Sequence, residues 1–299
     1  MASYFDEIAA NRLKSLALMV IFMALFSGII YLLVILLGGG LFAFAVGFIV
    51  ILLYAAFVYL AGDKVVLKVS GATIADKSKY PELYNIIEGL ASAIQVPMPK
   101  VYTINDANPN AFATGRSKKV SAVAVTTGLL SMMNKRELEG VLAHEMSHIS
   151  NNDIQFMMIA VVFAGVIGLV SVFIRSIFLF GGLGNSRNNG AGLLLLVGLV
   201  IGVLAPIFAL LIRLAISRRR EYMADANGAR LIRDPEGLAD ALTKIKAYSA
   251  APQSQPVKRA SEMTASLYFS NPFKASSVAN IFSTHPPIDE RIKRLKAMY

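Results

Sequence analysis

The sequence predicts a mainly α membrane protein: four transmembrane helices in two hairpins, with a cytoplasmic α+β domain split between the segments that follow each hairpin. Three observations carry this. Of 299 residues, 56% are hydrophobic and only 16% charged, with a mean hydropathy of +0.58, against about 25% charged in an ordinary soluble domain. Four segments reach the ~20 apolar residues that a helix needs to cross hydrocarbon. The basic residues gather beside one end of each hairpin, as they do on the cytoplasmic side of a membrane.

The spans are Leu16–Leu37, Phe42–Leu60, Ile154–Ile174 and Leu193–Ile216. The first two are free of charge and joined by the turn Gly38-Gly39-Gly40; Pro206 predicts a kink in the fourth. Span one is too long for the apolar core of a signal peptide and lacks a small-residue cleavage site, so it reads as a retained helix. Arg12 and Lys14 precede it, Lys64 and Lys68 follow span two, and Arg218, Arg219 and Arg220 follow span four. The first hairpin loop has no Lys or Arg, and the second has only Arg175 and Arg187. This bias puts both termini and segment 61–153 in the cytoplasm, with Arg213 snorkelling to the same interface. The chain then divides into a cytoplasmic N-terminus (1–15), a hairpin (16–60), a first cytoplasmic part (61–153), a second hairpin (154–216) and a second cytoplasmic part (217–299). The net charge of +10 is thus assigned to the bilayer as partner, not to nucleic acid. The scarcity of ionisable residues within the spans counts against a transporter.

Segment 61–153 reads as α+β. Pro81 opens an amphipathic helix over Glu82–Gln95. Lys100–Ile104 and Val120–Thr126, short and rich in β-branched residues, read as strands. Asn134 and Glu137 have the spacing of a capping box, starting a helix that runs to about Ser150. Beyond span four the helix continues to about Ile232, and Asp234-Pro235 caps a new one. Residues 250–284, rich in Ser, Pro and Ala, are expected to form a mobile loop, and a last basic helix covers about Ile288–Ala297.

The chain has no cysteine, which excludes a disulfide framework, a cysteine nucleophile and any thiolate metal site; a metal would be held by His, Asp or Glu. His144-Glu145-Met146-Ser147-His148 supplies His-Glu-x-x-His within a predicted helix. Residues four apart share a helix face, so both imidazoles can bind one ion, at about 2.0–2.1 Å for zinc. Glu145, about 100° further round, can reach a water on that ion, whose pKa zinc lowers towards about 7, and take its proton. Only three histidines occur in the chain, and two have ligand spacing. The competing reading is a pair of polar histidines on a surface helix. A catalytic site needs a third protein ligand. Glu221, just beyond span four, is a candidate, and Asp225, one turn on, can accept a hydrogen bond from a ligand histidine. By spacing alone, both read better as solvated charges pairing with Arg218–Arg220.

The His-Glu-Met-Ser-His motif, followed between two hairpins by Glu221-Tyr222-Met223-Ala224-Asp225, resembles the HtpX family of membrane zinc proteases, relatives of the Ste24 peptidases, over nearly the whole chain. The resemblance implies a gluzincin-like catalytic domain with one Zn²⁺ per chain, held by His144, His148 and Glu221, and Glu145 as catalytic residue. It also implies an endopeptidase of the plasma membrane that degrades misfolded or damaged membrane proteins. Two further stretches are similar to family motifs. Asn108–Gly115 resembles the edge strand on which such proteases bind substrate backbone by β-augmentation, giving Asn110 and Ala111 as substrate-binding residues, although Asn-Pro-Asn also reads as a plain turn. Thr284-His285-Pro286-Pro287 resembles a late motif whose histidine lies near the active site. His285 is a candidate catalytic donor to the oxyanion, or a residue of a helix-entry loop. The alternatives are a membrane protein whose zinc is structural and a transporter with a regulatory cytosolic module.

Overall fold

The computed structural model describes residues 40–155, 158, 218–251 and 286–298, together with Ala24, Ser27, Gly28 and Tyr31. Predicted spans one, three and four lie largely outside the described residues, and the 250–284 loop almost wholly so. By contacts the chain divides into two units, one comprising 1–60 and 159–214 and the other 61–158 and 215–299.

In the first unit, span two falls within helix α1 (Leu41–Val69), which begins one residue earlier than predicted and runs on to Val69, into the second unit. Among the described residues no single straight helix is long and apolar enough to cross a membrane; the arms Phe44–Phe57 and Tyr59–Val69, bent by 61°, meet the length and composition requirement together.

The second unit holds the chemistry. After β1 (Ala72–Ile74), α2 spans Pro81–Ala93, with proline pre-set for its first turn. Leu83, Ile86, Ile87, Leu90 and Ala91 are buried, the i, i+3, i+4, i+7 stripe of a helix with one face in a core. Strands β2 (Lys100–Ile104), β3 (Ala111–Ser117) and β4 (Val120–Thr126) complete a sheet of order β1-β2-β4-β3. β2 and β4 run parallel, while β1 and β3 are antiparallel to their neighbours. Val123 and Val125 of the central strand are fully buried.

The sheet, α2 and the helices that follow enclose one core. Thr126 ends β4 and caps α3 (Thr127–Met132), its hydroxyl accepting from Leu129 N–H. α4 (Lys135–Ser150) begins with the predicted capping box: Asn134 accepts from Glu137 N–H, and the Glu137 carboxylate accepts from Asn134 N–H at 2.9 Å, an arrangement worth about 0.5–2 kcal/mol. The same carboxylate meets Lys244 Nζ at 2.7 Å, joining α4 to α6. α5 (Arg218–Ile232), α6 (Pro235–Ala250) and α7 (Ile288–Lys296) follow, with Asp234 capping α6 through Gly237 N–H as predicted.

α4 is almost wholly buried from Leu138 to Ile149. Two glycines let other backbones approach it. A Cβ at Gly140 would stand 2.7 Å from Leu238 N in α6, and one at Gly228 in α5 would stand 3.0 Å from His144 N and 3.1 Å from Ala143 C. Packing this close brings α5 against the turn of α4 that carries the histidines.

Candidate metal centre

His144, Glu145 and His148 lie on α4, and Glu221 and Asp225 on the first half of α5; all are buried, with exposures of 4% or less. The two imidazoles stand nearly perpendicular, 87° between planes, with Nε2 atoms 3.1 Å apart. The Glu221 carboxylate closes the triangle, Oε1 at 3.4 Å from His148 Nε2 and Oε2 at 3.7 Å from His144 Nε2. The spacing of His144, His148 and Glu221 is that of a metal-ligand set.

The far ring nitrogens decide which tautomers are present. His144 Nδ1 is 2.9 Å from Asp225 Oδ1, and His148 Nδ1 is 3.0 Å from Asp153 Oδ2. An ionised carboxylate only accepts, so each Nδ1 carries hydrogen and donates, and with a metal bound each Nε2 would turn a lone pair to the centre. Two such lone pairs and a carboxylate then face each other across 3.1–3.7 Å, an arrangement that calls for a positive charge. Three tetrahedral ligands with bonds of about 2.0–2.1 Å stand about 3.4 Å apart. The donor set therefore fits a zinc ion in ligand type, separation and tautomer.

The electrostatics agree. Burial holds His144 neutral, pushing its pKa down to about 4 against the pull of Asp225. Burial acts the same way on His148, but there the hydrogen bond to Asp153 and the charges of Glu221, Asp153 and Glu145 prevail and raise it to about 9. In the absence of an ion the pair thus holds one proton, at the point where the carboxylates concentrate negative potential. For Asp225, the charge of Arg291 and hydrogen bonds from His144 and Arg291 outweigh burial and hold the carboxyl down at about 2.

Three residues of this centre are not site candidates by sequence, and Arg220 reads there only as a solvated basic residue. Asp153, five residues beyond His148, is buried at 2% exposure. Arg220, with Nε 3.9 Å from Asp153 Oδ1, is buried at 8%. Arg291 of α7 is buried at 2% and meets Asp225 through Nε at 2.9 Å and Nη2 at 2.7 Å. Asp153 sits just past the motif helix's end and carries a weak local signal; Arg291 shares the face of α7 that holds Ile288 and Leu295, but its charge among Lys293, Arg294 and Lys296 masks that signal.

The predicted substrate residues lie at the start of edge strand β3. Thr126 N–H donates to Asn110 O at 2.9 Å, and Asn110 N–H donates to the Thr126 hydroxyl at 2.8 Å. Alternation then turns the N–H and C=O of Ala111 away from β4, and the Ala111 N–H takes the Asn110 side-chain oxygen at 3.0 Å. Both residues are buried, at 1% exposure. His285 lies outside the described residues.

Residues 77–299, the greater part of the chain, match Peptidase family M48. The chain belongs to that family. It is 50% identical over 256 residues to a protease HtpX homolog of Caldanaerobacter subterraneus subsp. tengcongensis, covering 84% of this chain and 83% of that one. It is 42% identical over 296 residues to a protease HtpX homolog of Dictyoglomus thermophilum, covering 99% and 95%. A further HtpX homolog, from Streptococcus gordonii, is 42% identical over 306 residues. Among solved structures, S. mikatae Ste24p matches with a TM-score of 0.50 at 20% identity, over 96% of this chain and 66% of that one, a likeness of fold. As a member of peptidase family M48 the chain is a metalloprotease, and His144, His148 and Glu221 are its candidate metal ligands.

Proposed function

We propose that the chain is a multi-pass plasma-membrane endopeptidase with one zinc ion per chain, which cleaves misfolded or damaged membrane proteins on the cytoplasmic side. The observation that carries the catalytic reading is the convergence of His144 Nε2, His148 Nε2 and the Glu221 carboxylate beside a buried Glu145. Four long apolar segments, with basic residues at one end of each hairpin, support the membrane location and orientation.

Nε2 of His144, Nε2 of His148 and the Glu221 carboxylate would hold the zinc, which supplies a Lewis acid for the scissile carbonyl and for water. Asp225 and Asp153 keep the Nδ1 hydrogens in place, which would leave both Nε2 lone pairs to the ion. Glu145 takes the proton of the attacking water and passes it to the leaving amine as the C–N bond breaks. The outward groups of Ala111 pair with an extended substrate backbone, which requires the Asn110 side chain to release the Ala111 N–H. Backbone pairing reads shape more than side chains, and so suits a protease that meets many unfolded segments. His285 stands as a second donor to the oxyanion.

The decisive experiment is Glu145→Ala, assayed in detergent on casein and on a misfolded membrane protein. Cleavage is expected to fall to background while the protein retains one zinc by metal analysis. Cleavage equal to wild type would overturn the mechanism, and would favour the structural-zinc alternative. Orientation is open to direct labelling, because the chain has no cysteine: a cysteine introduced at exposed Lys119 should react with an impermeant thiol reagent only after the cytoplasmic face is opened.

A further inference from the structure

We propose that Arg291 is a positioning residue of the metal centre, clamping Asp225 so that the His144 imidazole is held on the ion, and that helix α7 is thereby part of the active site. The proposal rests on the ligand set given above, which comes from α4 and α5, and adds a third stretch of chain to it.

Arg291 is 2% exposed. Burying a guanidinium costs several kcal/mol unless its donors are matched, so its partners are informative. Nε donates to Asp225 Oδ2 at 2.9 Å and Nη2 to Asp225 Oδ1 at 2.7 Å. This is the paired fork that Arg forms and Lys does not. Asp225 Oδ1 also accepts from His144 Nδ1 at 2.9 Å. One carboxylate thus ties two rigid planar groups, and its plane is fixed by the guanidinium. Nη1 lies 4.0 Å from Glu221 Oε2, so the same cation also faces the third ligand.

Two consequences follow for the ion. A carboxylate left unpaired beside His144 would be free to rotate, and the imidazole would lose the acceptor that fixes its tautomer. The centre also crowds Glu145, Asp153, Glu221 and Asp225 into buried space, where the positive charge of Arg291 offsets one of them without occupying the ligand triangle. On the other side, Asp153 accepts from His148 Nδ1, and Arg220 Nε lies 3.9 Å from Asp153 Oδ1. α7 is anchored for the task, since Leu295 is fully buried, Ile288 and Ile292 pack against the core, and Lys246 of α6 pairs with Asp289.

The test measures zinc affinity of the full chain in detergent by competition with a chromophoric chelator, and the visible bands of the cobalt(II)-loaded protein. Four variants are compared with wild type: Arg291→Met, Arg291→Lys, the double variant Asp225→Asn with Arg291→Met, and Lys293→Ala on the exposed face of α7. Arg291→Met should weaken zinc about 10–100-fold and alter the cobalt bands. Arg291→Lys should recover part of the affinity through charge without the fork. The double variant should bind tighter than Arg291→Met, because no unpaired carboxylate is left buried. Lys293→Ala should match wild type. Should Arg291→Met fail to fold, the lysine and double variants carry the comparison. Wild-type affinity and cobalt bands in Arg291→Lys, or no gain in the double variant over Arg291→Met, overturn the inference. Glu221→Ala separates the two readings: if it too binds zinc like wild type, the ligand set is wrong, whereas if it alone is weakened, only the role of Arg291 is.

Discussion

Asp153 holds His148 from beyond the end of the helix that carries it: its Oδ2 accepts from His148 Nδ1 at 3.0 Å, with Asn151 as the helix C-cap between them. Replacing Asp153 by alanine removes the acceptor that fixes the tautomer. Zinc affinity should fall about 10–100-fold, read by chelator competition, with a smaller loss for Asp153→Asn, which keeps one accepting oxygen.

Gly228→Ala tests how closely α4 and α5 must approach. The added carbon would stand 3.0 Å from His144 N and 3.1 Å from Ala143 C, backbone atoms that cannot rotate away. Overpacking of this kind costs about 1–3 kcal/mol. The melting temperature in detergent should fall, and zinc affinity with it, because the substitution pushes Glu221 away from the histidines. Unchanged affinity would show that the carboxylate reaches the ion from a shifted helix.

Thr126 links the sheet to the substrate strand. Its hydroxyl donates to Asn108 O at 2.7 Å and accepts from Asn110 N at 2.8 Å and Leu129 N at 3.2 Å. Thr126→Val removes these three buried hydrogen bonds, at about 1–3 kcal/mol of stability. If β3 binds substrate backbone, KM should rise several-fold with kcat less affected, measured on a peptide substrate at a temperature where the variant is folded.

The charge state of the histidine pair predicts a proton count. With His144 down at about 4 and His148 up at about 9, the metal-free pair carries one proton at pH 7.5, and an entering zinc must displace it. Calorimetric titration with zinc in two buffers of different ionisation enthalpy should report release of about one proton. The sign for stability follows from linkage: a raised histidine pKa stabilises fully below its unfolded value near 6.5 and is lost as pH rises through about 9. The metal-free protein should therefore melt at a lower temperature at pH 9 than at pH 6.5, and zinc should reduce that difference.

Local chemistry made much of this legible. Pro81, the Asn134–Glu137 box and Asp234-Pro235 each mark a helix start, and helices begin at all three. Lys100–Ile104 and Val120–Thr126 are strands with the predicted bounds, and the stretch with competing turn and edge-strand readings forms β3 from Ala111. Helix α2 stops at Ala93, short of Gln95, because the chain turns there with Gln95 at φ 55°. The three-residue β1 leaves no mark in the sequence because its pattern is too short to show a period. At the site, residues on one helix turn were readable from spacing, whereas Glu221 needed family resemblance to separate it from the solvated charges around it. Arg291 shares a helix face with Ile288 and Leu295, a spacing that hints at burial, but its charge beside Lys293 and Arg294 reads as solvated, and only the buried Asp225 it meets explains an inward guanidinium.

The backbone contact at Gly228 also bears on how metal and fold depend on each other. In small zinc modules the ion is the core, and the chain is unordered without it. Here a glycine apposed to a peptide bond fixes the distance between the two ligand helices, so the cage is assembled by packing before any ion arrives. Chelation should then silence the enzyme while leaving its architecture standing. Such a protein can persist as an intact, empty scaffold whose activity follows the local supply of zinc and returns without refolding.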